Sequence, residues 1–241
     1  MSFKEFLIEF EEKRFHDFFR DLRREKKFGA VYFGKHGWFD LYLILETRKE
    51  FADFHSSPGK ITEAWPEGIF MEVADACVRI SNLAQKSGMR KQKGTIIIQY
   101  PEENEGGSAY MSYRITVLSK LVLRKGNRNI FDIITHEWAH TVLFNLPMHV
   151  KKEFNKFVDW HRNRLSNSYR IPLKNIPTTL EEFDNRPYDV KKAMEEYVMY
   201  NELPYEYCLL NGDEMWAICV ETLISGEFLN PTLRKMVINS L

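Results

Sequence analysis

Long apolar runs are missing from this chain. No stretch approaches the roughly 18 consecutive apolar residues of a membrane-spanning helix, so no membrane partner is expected. The opening MSFKEFLIEFEEKRF is charged throughout and lacks the apolar core of a secretory leader. Cysteine is scarce: Cys77, Cys208 and Cys219 are odd in number and carry no metal-type spacing. Their pattern excludes a disulfide framework or a thiolate cluster. It suits a reduced, cytoplasmic setting in which each thiol is a small buried apolar group. Net charge is absent too, because 34 basic residues balance 34 acidic ones. Nothing therefore asks for nucleic acid, and the short basic runs Arg20–Lys27 and Arg90–Lys93 read as solvated faces. Internal repeats and low-complexity segments are lacking, which excludes a solenoid.

The 241 residues, 44% of them hydrophobic, suffice for one globular domain or two lobes around a cleft. One stretch carries recognisable chemistry: His136-Glu137-Trp138-Ala139-His140. Histidines at i and i+4 lie one helical turn apart on one face, and each offers a neutral imidazole nitrogen to a metal. Glu137 sits about 100° around the helix from His136, so it flanks a metal rather than ligating it, and can take a proton from a water there. H-E-x-x-H on a helix reads as a zinc hydrolase, usually a peptidase. The surroundings predict such a helix. Asn129 is a candidate N-cap with Asp132 at N3, Ile130, Phe131, Ile133 and Ile134 open an apolar run, and Asn145 with Pro147 ends it.

Taken in order, residues 3–26 predict an amphipathic helix through Phe3, Phe6, Leu7, Phe10, Phe18, Phe19 and Leu22. Phe28–Phe33 and Trp38–Leu45 predict a hairpin around a turn over 34–37, with His36 exposed in it. His55 falls in a loop. A second helix, Pro66 to Ser87, carries Ile69, Phe70, Val73, Cys77, Val78 and Leu83 and stops at Gly88. Thr95–Tyr100 reads as a well-buried strand, and Pro101–Gly107 as an exposed loop. Ser108–Leu123 alternates and predicts one or two strands; lying directly before the motif helix, this stretch is a candidate to bind substrate by strand addition. Beyond the motif come a stripe through Val150, Phe154, Phe157, Val158, His161 and Leu165, and a connection or lid over 166–188. Three helices follow, over 189–201, from Asn211-Gly212-Asp213 to Gly226, and from Pro231.

A catalytic zinc wants three protein ligands and a water. His149 falls just past the helix-ending proline and does not fit a third-histidine pattern; His161 sits on an apolar stripe and reads as a core residue. Glu214 is the stronger candidate. It opens an otherwise apolar helix, Met215 to Val220, where an unpaired carboxylate would be expensive. Glu221, two turns along on the same face, is the alternative ligand, a support for His136 or His140, or a buried ion pair.

With Tyr207 and then Glu214-Met215-Trp216-Ala217 downstream of the histidine motif, the last 110 or so residues resemble the catalytic domain of anthrax lethal factor and its gluzincin relatives. The resemblance implies His136, His140 and Glu214 as zinc ligands, Glu137 as general base, and Tyr207 as the hydroxyl facing the transition state, with Tyr205 its rival. Met215 departs from the family's aromatic at that position.

The fold class expected is α+β: a small mixed sheet with helices in an N-terminal lobe, a helical C-terminal lobe, and a zinc cleft between them, zincin-like by the resemblance. Residues 1–241 are read as one domain, with 1–60 a candidate extension and 124–241 holding the active-site helix and helical lobe. The function expected is zinc-dependent peptidase acting on a peptide or protein substrate. The alternative is a catalytically silent binding or structural protein of the same fold, its cleft closed by Trp138, Trp216 and the 166–188 segment. Hydrolysis of a non-peptide amide is a weaker third reading.

Overall fold

The computed structural model describes residues 29–45, 69–99, 107–110, 115–119 and 130–241. The helix expected over 3–26, the loop around His55, the loop after Tyr100 and the Asn129 cap lie outside them. The architecture is mixed α and β. The chain divides into two compact units, Met1–Asn82 with Lys91–Thr141, and Leu83–Arg90 with Val142–Leu241.

Among the described residues the first unit is built on a five-stranded sheet of order β1-β2-β3-β5-β4, with β1 Gly29–His36, β2 Phe39–Leu45, β3 Gly94–Gln99, β4 Gly107–Tyr110 and β5 Ile115–Ser119. β3 runs parallel to both β2 and β5, while β1 and β4 close the edges antiparallel. Successive residues of β3 point to opposite faces of the sheet, and Thr95 to Ile98 are all buried, so both faces of β3 are covered and it is apolar without alternation. Ile96, Ile97 and Ile98 are fully buried. The hairpin turn is tighter than expected. β1 extends to His36, which pairs with Phe39, so only Gly37 and Trp38 remain in the loop. Gly34 falls instead at a register shift after Tyr32, with φ 104°. Gly37 has φ 64°, and a Cβ there would lie 2.3 Å from Ser81 Oγ. Only glycine lets the turn press so closely on helix α1.

α1 spans Ile69–Lys86 and forms the crossover between the parallel strands β2 and β3. Val73, Cys77, Ile80 and Ala84 bury its inner face, whereas Val78 points outward at 40% exposure, contrary to expectation. Gly88, in the left-handed region, stops the helix as its sequence predicts. Of the two strands within Ser108–Leu123, β5 precedes the motif helix but lies inside the sheet, and β4 forms the edge.

The second unit is helical. α3 (Met148–Tyr169) buries Val150, Phe154, Val158, His161, Arg162 and Leu165. α4 (Leu180–Asp184), α5 (Tyr188–Tyr200), α6 (Gly212–Ser225) and α7 (Pro231–Ser240) follow. The stretch 166–188 is a packed connection. It contributes the last turn of α3, a 3-10 turn at Leu173–Asn175, and α4 capped by Thr179. Arg162 holds it down. Its guanidinium donates to the carbonyls of Ile176 at 2.7 Å, Leu209 at 3.1 Å, and Pro177. A guanidinium this buried is tolerable because backbone oxygens meet its N–H groups. No helix of the described residues is long and apolar enough to cross a membrane. The three cysteines are free and buried, and burial pushes the thiols of Cys77 and Cys208 up to about 12, far from thiolate chemistry.

His161 is the core residue its position suggests. It is 4% exposed, and its Nδ1 lies 2.8 Å from the Tyr197 hydroxyl of α5. Burial, and secondarily the Arg164 charge, lower its pKa from 6.5 to about 4. Between those values the unfolded chain binds a proton that the folded chain refuses. Stability is therefore whole above pH 6.5 and falls as pH drops toward about 4. The expected loss is roughly 2–3 kcal/mol. Denaturant midpoints at pH 7 and pH 4.5 check it: His161→Gln should flatten the difference, and an equally steep fall in that variant would refute the assignment.

Candidate metal centre

Helix α2, Ile130–Phe144, carries the two histidines of the motif. Ile134, Trp138 and Ala139 are fully buried, and Phe131, Ile133, Thr135, Thr141, Val142 and Leu143 nearly so. Its half-open positions beyond the first residue are Asp132, His136 and Glu137, along one stripe. An ordinary amphipathic surface helix would show a broad solvated face. Here the remaining polar side chains, Thr135, Thr141 and His140, are buried, His140 at 8% exposure, and the helix's most exposed residue is Phe144.

The residue between the motif's polar positions anchors the helix to the sheet. The Trp138 ring meets Phe39 edge-on at 5.5 Å and Trp38 at 6.0 Å. Gly94 leaves the space: a Cβ there would stand 2.8 Å from the Phe39 ring and 3.0 Å from that of Trp138. Thr135 and Thr141 turn their hydroxyls back to the carbonyls of Phe131 and Trp138, both at 2.7 Å. With these ties, the imidazoles of His136 and His140 approach each other, Nε2 to Nε2 at 3.2 Å.

Glu214 stands in the first turn of α6. Asn211 caps that helix, its Oδ1 accepting from the N–H of Asp213 at 3.0 Å and of Glu214 at 2.9 Å. Gly226, at φ 81°, ends it. Between these caps Met215 to Val220 are buried, and Trp216 meets Phe154 edge-on at 5.3 Å. Glu214 itself is half-buried. One ligand atom each from His136, His140 and Glu214 lie within 4.8 Å of one another. Among the described residues these three form a group that could hold a metal ion.

The donor set fits such an ion. Two imidazoles at zinc-like bond lengths and a tetrahedral angle place their nitrogens about 3.3 Å apart, close to the 3.2 Å seen. A hydrogen bond between two ring nitrogens spans a similar distance. What adds to the fit is the third donor, a carboxylate from a distant part of the chain that meets the same point. Two nitrogens and one oxygen suit first-row transition ions better than calcium or magnesium, which prefer oxygen throughout.

Other sequence candidates fall outside the group. His149 is exposed on the first turn of α3, and His161 bonds Tyr197. Glu221 is half-buried further along α6. Tyr207 is half-buried in a 3-10 turn, Glu206–Leu209, its ring edge-on to Phe183 at 5.4 Å. Tyr205 is 53% exposed just before that turn. Trp138 and Trp216 are both fully buried, Trp138 against Trp38 and Phe39 and Trp216 against Phe154. Sequence reasoning passed over Arg162 and Asn155, which carried no signal of their own in the sequence. No known protein family, curated protein or solved structure matches the chain.

Proposed function

We propose that the chain is a zinc-dependent peptidase of gluzincin type, with His136, His140 and Glu214 as ligands. The observation that carries this reading is the grouping of a distant carboxylate with the paired imidazoles. Two histidines and a glutamate are the donor set of catalytic zinc, which keeps a fourth position open. Zinc bound there supplies Lewis-acid polarisation of a carbonyl and lowers the pKa of a water toward neutrality. Glu137, adjacent to His136 on the half-open stripe, takes the water's proton and returns it to the leaving amine. Tyr207, braced by Phe183, donates its hydroxyl hydrogen to the developing oxyanion. The likeness of the motifs to the lethal factor family supports these roles. β4, at the edge of the sheet among the described residues, is the candidate strand for an extended peptide to pair with.

The deciding experiment is a digest of a peptide library by the purified chain. Cleavage that a chelator abolishes and added zinc restores is the expected result. Stoichiometric zinc with no cleavage of any member would favour the silent alternative.

A further inference from the structure

We propose that Asn155 of α3 is a positioning residue that sets the affinity of the metal centre by registering the helix that delivers Glu214. The proposal rests on the metal-centre reading above. The first turn of a helix leaves amide donors without partners inside the helix. In α6 they are met from two sources. Asn211 takes those of Asp213 and Glu214 through its side chain, while its carbonyl accepts the first bond of the helix itself, from Met215 at 3.0 Å. The first amide, of Gly212, donates instead to Asn155 Oδ1 at 3.0 Å, across 57 residues of chain. That bond is the only one of the set that ties the start of α6 to another helix.

The approach is close enough to specify glycine. A Cβ on Gly212 would lie 2.5 Å from Asn155 Oδ1 and 2.7 Å from the Asn155 backbone nitrogen. The backbone contact cannot yield by a side-chain rotation. Next to Asn155, Phe154 holds Trp216 edge-on at 5.3 Å. Adjacent residues of α3 thus grip α6 at Gly212 and Trp216, and Glu214 lies between the two grips. A shift of either one displaces the helix and the carboxylate it carries relative to whatever that carboxylate ligates. Contacts that orient a ligand without touching the metal typically govern affinity by roughly 10–100-fold.

The test is zinc affinity, by competition with a chromophoric chelator, alongside the thermal melt of each metal-free chain. Asn155→Leu keeps the volume and loses the acceptor; Asn155→Asp keeps both; Gly212→Ala attacks the same contact from the other side. The expected result is weakening by roughly 10–100-fold in Asn155→Leu and Gly212→Ala, with Asn155→Asp close to the parent. Unchanged affinity in the first two overturns the proposal, whatever their melts do. So does an Asp variant as weak as the Leu variant, which would make the acceptor oxygen irrelevant. A parent chain that takes up no zinc is a different failure: it removes the metal centre itself, and the positioning role with it.

Discussion

Glu137→Gln is expected to hold zinc and fold as the parent does, yet to hydrolyse peptide roughly 10²–10⁴-fold more slowly. Glutamine has the shape of glutamate but no basic oxygen, so it cannot accept the water's proton. The change is isosteric and falls on a half-open position of α2, so it disturbs neither the Trp138 anchor nor the buried positions around it. The histidines should keep their approach, and metal content should stay at the parent value. Steady-state turnover with metal quantified on the same preparation makes the comparison. Parent-like turnover would remove Glu137 from the mechanism; loss of zinc would show that Glu137 supports the metal instead.

The second large effect concerns Glu214. Glu214→Ala should fail to retain zinc through dialysis that leaves the parent loaded. Loss of a donor must cost more than the roughly 10–100-fold typical of a supporting contact. The fold should survive, because Asn211 and Asn155 hold the start of α6 through the backbone amides of Gly212, Asp213 and Glu214, which the substitution keeps. Elemental analysis of both chains, with Glu221→Ala as comparison, reads the outcome. If Glu221→Ala loses the metal and Glu214→Ala keeps it, the third donor has been misassigned along the same helix.

Much of this was legible because local rules and tertiary packing agree. The caps of α6 and α7, Asn211 with Gly226 and Asn230 with Pro231, are local chemistry, and the structure uses each as the sequence predicts. The buried set of α5, Val190, Ala193, Met194, Tyr197 and Val198, is the set its periodicity predicts. The stretch 166–188 hid its structure behind three prolines, although Thr179 and Glu182 spell a capping-box pattern, and the Thr179 side chain does accept from the Glu182 amide at 3.2 Å. Val78 was misplaced because it lies beside an inward residue, Cys77, and hydrophobicity alone does not say on which side of that face the stripe ends.

By itself the sequence determined the paired imidazoles. Four residues of separation on a helix put two side chains on one face whatever surrounds them. It likewise determined that Glu214 opens an apolar helix and so stands out as a carboxylate in need of a partner. Only the tertiary structure showed that Glu214 stands with the two histidines in a group that could hold a metal ion, that both tryptophans are buried, and that Asn155 grips Gly212. Those facts depend on where elements far apart in the chain come to lie, and no local propensity or periodicity encodes a meeting of residues separated by dozens of positions.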